Sequence, residues 1–207
     1  MLNPPRRFRL LAFDWDGTLA DSTALIAGAI QQACLDVGVP APAESDARHV
    51  IGLGHRDAIR HVAPTLAPER HARFSERYRD HYLAGDAAIP LFAGVREMLD
   101  ELDDRGFLLA VATGKTRVGA ASRCGDEGFP KPHPDMLLAL MDRLGAEPAE
   151  TLMIGDTTHD LELARNAGVS ALAVAYGAHP SEGLMAMEPL STAHSVTELR
   201  AWLATNA

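Results

Sequence analysis

Two carboxylates, Asp14 and Asp16, close the short apolar run Leu10-Leu11-Ala12-Phe13 and are followed by Gly17-Thr18. Aspartates can act as nucleophile, general acid or cation ligand. An Asp that ends a buried parallel strand points into the crevice where open sheets bind ligands. Three further segments carry comparable groups. Thr113-Gly114-Lys115 ends a second apolar run, Lys131 opens Lys131-Pro132-His133-Pro134, and Asp156 and Asp160 lie in Gly155-Asp156-Thr157-Thr158-His159-Asp160. These pieces converge if every strand ends at the same sheet edge. Carboxylates gathered in one crevice repel one another and raise one another's pKa unless a cation compensates. Among nineteen basic residues only Lys115 and Lys131 are lysines, and both fall in these segments. A compact ammonium suits a place between a carboxylate and other anionic oxygens. Plain structural roles stay open for each group: a turn at Asp16-Gly17, solvated charges at Lys115 and Lys131, and helix caps at Thr113, Asp156 and Asp160.

The elements that must position these groups follow a β-then-α rhythm with one interruption. Leu10–Phe13 reads as a buried strand. Asp21 is placed to cap a helix running to about Val37, with Leu25, Ile26, Ala29, Ile30 and Ala33 at helical spacing. From 44 to 85 the pattern is helical without a convincing strand: a short helix over His55–Ala63 and a longer one over Pro68–Ala84, with the loop Ile51-Gly52-Leu53-Gly54 ahead of them. The rhythm then resumes with a helix over 94–105, a strand over 107–112, a helix after Pro134, a strand over 152–154, a helix over 158–167 stopped by Gly168, a strand over 171–175 and a terminal helix over 196–204. Strands alternating with helices imply a parallel sheet covered on both faces. The expected fold is therefore α/β: a Rossmann-like parallel sheet core with helices on both faces, plus an inserted small α-helical cap. The core takes residues 1–19 and 88–207 and the cap 20–87, with hinges near Leu19–Asp21 and Asp86–Pro90. One stretch fits badly. Ala121–Cys124 reads as a strand, yet a parallel crossover from Thr113 needs roughly a dozen residues or more.

The run Asp14-Trp15-Asp16-Gly17-Thr18 resembles the first motif of the haloacid dehalogenase-like (HAD) phosphohydrolases. Thr113-Gly114 is similar to their second motif, Lys131 to the third, and Gly155-Asp156 with Asp160 to the fourth. The branch that it resembles is the phosphoglycolate phosphatase-like one with a helical cap. The resemblance spans nearly the whole chain and implies a mechanism. Asp14 would be a nucleophile forming an aspartyl-phosphate, Asp16 the acid and base, and Thr113 and Lys131 the remaining catalytic residues. Thr18, Gly114, Lys115 and, from the cap, Arg56 would contact substrate. A Mg²⁺ cofactor would be held by the side chains of Asp14 and Asp156 and the Asp16 backbone carbonyl, with Asp160 as its outer-shell partner. Family members usually place a whole helix near 114–130, so this chain has either lost a crossover or lacks an internal segment. Within the superfamily a dehalogenase needs no proton donor at position 16. A phosphonate-cleaving enzyme needs a cap lysine, and Met1 to Gly114 contains none. A phosphosugar mutase stays open, as does a catalytically degenerate binding or scaffold protein. A receiver domain shares the Asp, Thr, Lys and Mg²⁺ but is shorter and has no cap.

Composition narrows the classes further. With 207 residues, 47% hydrophobic and 23% charged, the chain can bury a substantial core. A net charge of -9 argues against a nucleic-acid partner held by a basic face. Cys34 and Cys124 fit no metal or redox spacing. Arg6, Arg7 and Arg9 before Leu10–Phe13 imitate a signal peptide, but the apolar run is too short and ends in Asp14. The expected setting is the cytoplasm and the expected partner a small phosphorylated metabolite, with no membrane and a monomer or homodimer as assembly. His49, His55 and His61 recur every six residues, which scatters them around a helix and speaks against a metal site. The loop Ala175–Pro180 is expected to be a plain connection.

Overall fold

A computed structural model of the chain describes residues 7–86, 89–114, 122–124 and 129–207, with 86 and 122–124 described by their backbone alone. In chain order the elements are β1 (Leu10–Phe13), α1 (Thr23–Asp36), α2 (Glu44–His49), α3 (His55–Val62), α4 (His71–Asp86), α5 (Val95–Asp104), β2 (Leu108–Thr113), β3 (Ser122–Cys124), α6 (Asp135–Leu144), β4 (Thr151–Gly155), α7 (Thr158–Ala167), β5 (Ser170–Val174), α8 (Ser181–Met185), β6 (Thr192–Ala193) and α9 (Val196–Asn206). The described strands form one sheet in the order β3-β2-β1-β4-β5-β6, and every pairing is parallel.

β1 lies at the centre of the sheet, and all four of its residues are buried, as an unbroken Leu-Leu-Ala-Phe run requires. Its side chains alternate between two cores. Leu11 and Phe13 join Leu152 and Ile154 under α5 and α9, whereas Leu10 and Ala12 join Met153 under α6 and α7. Met136, Leu137, Leu140 and Met141 of α6 recur every three or four residues and are all buried in that second core. Each such side chain contributes about 1.5–3 kcal/mol on burial.

α1 to α4 form a block with a core of its own, in which Ile26, Ile30 and Ala33 of α1 meet Ala47, Ile59, Val62 and Phe74. Its two connections to the sheet lie side by side. Asp21 N–H donates to the Pro90 carbonyl, and Phe92 N–H to the Leu19 carbonyl, both at 3.0 Å. α1 starts one residue later than the capping pattern predicts, with Ser22 rather than Asp21 at the N-cap position and no cap bond from its side chain. α8 and β6 carry no signal in the letters: the first is five residues long and the second two.

The awkward stretch near 121 is a strand. β3 pairs in parallel with β2, Val111 opposite Ser122, and eight residues, Gly114–Ala121, separate the two. The residues 115–121 that connect them, Lys115 included, lie outside the described residues. No described helix is long and apolar enough to cross a membrane.

Candidate active site

Register brings the reactive groups together. Phe13 pairs with Val111 on one side and Ile154 on the other, so Asp14, Thr113 and Asp156 follow at the same carboxyl edge of neighbouring strands. Asp14 N–H donates to the Ile154 carbonyl at 2.8 Å and extends that pairing to the site. Lys131, from the loop ahead of α6, is buried with its Nζ 2.7 Å from Asp14 Oδ1 and 2.6 Å from Asp160 Oδ1. Asp156 accepts Thr18 Oγ1–H at 2.8 Å on Oδ1 and Ala178 N–H at 2.7 Å on Oδ2. Ser22 donates its hydroxyl proton to Asp16 Oδ1 at 2.5 Å, which explains why it caps no helix.

Gly17 makes this approach possible. It holds φ +83, and a Cβ there would overlap the Asp156 carboxylate. Asp160 serves two structures at once. Its Oδ2 accepts Thr157 N–H at 3.0 Å in a capping box at the start of α7, while Oδ1 takes Lys131. The helix-cap and charge-cluster readings of that residue are both realised.

Three buried carboxylates, Asp14, Asp156 and Asp160, thus face one buried ammonium, with an oxygen of each within 4.8 Å of the others. Burial, only partly opposed by Lys131, pushes Asp14 up to about 7, with Asp160 adding to the rise. Burial together with Asp14 and Asp160 also holds Asp156 well above the ordinary carboxylate range. Burial works against the Lys131 charge, but Asp14 and Asp160 outweigh it and raise the pKa. The site therefore carries more negative charge than its lysine offsets. Its oxygen-only donor set fits a hard divalent cation.

The sign of the resulting pH dependence follows from linkage. Without metal, the folded Asp14 binds its proton more tightly than an unfolded aspartate of ordinary pKa 3.8. This group's contribution is therefore present below about pH 4 and lost as pH rises through about 7. A cation that binds the ionised carboxylates reverses that loss. Thermal midpoints with Mg²⁺ and with chelator should accordingly differ more at pH 8 than at pH 5.5; an equal difference at both would contradict the assignment. Thr18→Val removes one of the two bonds that fix Asp156 and should cost about 1–3 kcal/mol, read from the urea midpoint.

The remaining expected residues take these places. Thr18 spends its hydroxyl on Asp156, Thr113 is buried at the end of β2, and Gly114 is exposed. Arg56 is exposed in the first turn of α3, and no hydrogen bond or ion pair joins it to the described part of the crevice. The arginine of the block that does reach the site's edge is Arg48, which donates to Thr23 Oγ1 at 2.8 Å beside Gly17. The loop 175–180 is no plain connection, since Ala178 N–H holds Asp156 and His179 N–H donates to the Asp156 carbonyl at 3.3 Å. The six-residue histidine spacing also misleads. His49 and His61 bring their rings to 4.9 Å, and His159 and His179 join them, while His55 bonds Ser75 elsewhere. Two of these four come from distant segments, so sequence spacing carries no sign of the cluster.

A parallel Rossmann-like sheet with an aspartate-lysine cluster at its carboxyl edge defines an α/β protein with a charged crevice at the strand ends. The chain belongs to the haloacid dehalogenase-like hydrolases, whose family model matches residues 8–168. It is 34% identical to "Probable phosphatase IndB" of Dickeya dadantii, over 87% of this chain and 86% of that one. It is also 34% identical to a phosphoglycolate phosphatase of Vibrio vulnificus, over 94% of this chain and 95% of the relative. That alignment runs over 217 positions against a 207-residue chain, so the relative carries residues with no counterpart here, in keeping with the eight-residue link between β2 and β3. Among solved structures, a hydrolase from Pseudomonas syringae superposes with a TM-score of 0.88 at 23% identity, covering 97% of this chain and 98% of that one.

Proposed function

We propose that this chain is a Mg²⁺-dependent phosphatase that hydrolyses a small phosphomonoester through an aspartyl-phosphate on Asp14. The observation that carries the reading is the buried Lys131 ammonium shared between Asp14 and Asp160, with Asp156 alongside. An anion can attack an anionic phosphoryl group only where fixed positive charge screens the approach. Asp14, Asp156 and the backbone carbonyl of Asp16 would hold the metal, with Asp160 supporting from behind through Lys131. When bound, the metal supplies charge neutralisation at the phosphoryl oxygens and orients them.

The chain's own residues do the rest. A carboxylate oxygen of Asp14 attacks phosphorus in line, and the bond from phosphorus to the substrate oxygen breaks. Asp16, oriented by Ser22, gives that oxygen its proton. A water then attacks the aspartyl-phosphate, Asp16 takes the water's proton, and inorganic phosphate leaves with Asp14 restored. Thr113 and the backbone at Gly114 cradle phosphoryl oxygens in this reading. The block 20–87 acts as a cap that covers the crevice and selects the substrate.

Because relatives of this length and identity are named phosphoglycolate phosphatase, 2-phosphoglycolate is the first substrate to test. A cytoplasmic setting goes with a phosphorylated metabolite as substrate. The deciding assay is phosphate release from a panel of phosphoglycolate, sugar phosphates and nucleotides, with Mg²⁺ and with chelator. Metal-dependent release from at least one small phosphomonoester is expected. Turnover on none would favour a degenerate scaffold, and isomerisation of a sugar phosphate without net release would favour a mutase.

A further inference from the structure

Phosphoryl transfer makes no use of the four imidazoles where the helical block meets the sheet. His49 and His61 come from the block, His159 from α7 and His179 from the loop after β5. His159 and His179 are buried, and both aim Nε2 at one acceptor, the backbone carbonyl of His49, at 2.9 and 3.0 Å. A carbonyl accepts only from N–H, so both bonds need the proton on Nε2. For His179 that tautomer is fixed independently. The backbone N–H of Thr158, the first residue of α7, donates to His179 Nδ1 at 3.1 Å, which leaves the ring proton to Nε2.

The acceptor is equally telling. His49 is the last residue of α2, and a carbonyl there has no acceptor role within its own helix. Two core imidazoles occupy both of its lone pairs. The chain then turns into the loop 50–54, which lies on the rim of the crevice. A Cβ on Gly52 would sit 3.5 Å from Thr157 Oγ1, and one on Gly54 would lie 2.6 Å from Pro130 Cγ, next to Lys131.

We propose that His159 and His179 are positioning residues: their paired Nε2–H groups latch the His49 carbonyl and hold the loop 50–54, with the helical block behind it, shut over the Asp14 crevice. The inference rests on reading that block as a cap. A transition-metal site on His49, His159 and His179, whose ring nitrogens lie within 4.8 Å of one another, is the competing use of the cluster. Two features disfavour it. The His49 and His179 rings are in stacked contact, at 12° and 5.1 Å, a packing that accounts for their closeness without an ion. The His179 nitrogen that faces the group carries the proton.

The test compares His159→Phe/His179→Phe, which keeps two rings and removes both donors, with His159→Gln/His179→Gln, which returns an amide N–H near each Nε2. Amide hydrogen exchange across 48–54 is measured on the substrate-free protein. The Phe pair should exchange there roughly tenfold faster, as expected for two lost hydrogen bonds, and the Gln pair should recover most of the protection. In turnover the Phe pair should raise KM by a similar factor while kcat changes less than about twofold. If the Phe pair does not fold, His159→Phe alone carries the same comparison with roughly a threefold change. Unchanged exchange in the Phe variants overturns the latch, as does a Gln pair no better than Phe. Stoichiometric Zn²⁺ binding by the wild type, lost in the Phe pair, overturns it in favour of the metal site. Since the exchange readout needs no substrate, its failure strikes the latch alone, whereas a wild type without phosphatase activity strikes the proposed reaction.

Discussion

Asp14→Asn should lower turnover by about 10⁴-fold or more while the protein stays folded. In the account above, Asp14 forms and breaks a covalent bond in every cycle, and no other group at the site can replace it. Asp16 is tied to Ser22, while Asp156 is held on both oxygens by Thr18 and Ala178. Asp160 is likewise occupied on both oxygens, by Lys131 and Thr157. The fold should tolerate the change because an amide of the same shape relieves repulsion among three buried carboxylates whose burial already opposes ionisation. Circular dichroism and the thermal midpoint of the variant report the fold, and phosphate release at saturating substrate reports turnover. A variant that keeps more than a few per cent of wild-type turnover would end the nucleophile assignment.

Lys131→Met should damage both stability and activity. The ammonium has no exposed side-chain surface and carries two ion pairs, to Asp14 at 2.7 Å and Asp160 at 2.6 Å. Methionine fills a similar volume but leaves two buried carboxylates facing each other without a cation. Breaking a buried pair from one side costs about 3–5 kcal/mol, because the stranded charge keeps its desolvation penalty. Saturating Mg²⁺ should recover part of that loss by neutralising Asp14, though Asp160 stays stranded and its cap at Thr157 weakens. Turnover should fall by about 10³-fold or more, since the fixed charge that screens the incoming phosphoryl group is gone. Lys131→Arg should not rescue, because the longer planar guanidinium does not fit a point-charge position between two carboxylates. Urea midpoints with and without Mg²⁺ measure the first effect and steady-state kinetics the second. Wild-type stability in the methionine variant would contradict the buried pairing.

How much of this was legible in the letters depends on the range of the signal. β1 could be read because four consecutive apolar residues ending in Asp have few other uses, and the strand ends where Asp14 requires. α7 could be read to the residue, 158–167, because its helical run closes on a glycine stop, which is local chemistry. The expected convergence of Asp14, Lys131, Asp156 and Asp160 followed from parallel strands sharing one edge, which is a topological rule rather than a local one.

What stayed hidden depends on contacts between distant segments. Nothing in Ala175–Pro180 announces that Ala178 and His179 wrap Asp156, because a backbone N–H leaves no mark in composition. The histidine cluster joins residues more than a hundred positions apart, and spacing within one segment pointed away from it. Arg56 was singled out for its place beside a glycine loop, yet it is Arg48, one turn into the preceding helix, that reaches Thr23. β3 is an intermediate case. Its residues read as a strand, and the eight-residue link to β2 falls short of an ordinary crossover.

The most direct measurement is chemical trapping during turnover. Enzyme mixed with phosphomonoester and Mg²⁺ is quenched with borohydride, which reduces an aspartyl-phosphate to homoserine, and the position is then read by peptide mass spectrometry. Homoserine at position 14, dependent on substrate and absent from Asp14→Asn, is the predicted result. Phosphate release without conversion at 14, or conversion at another aspartate, would contradict a phosphoryl group carried on Asp14.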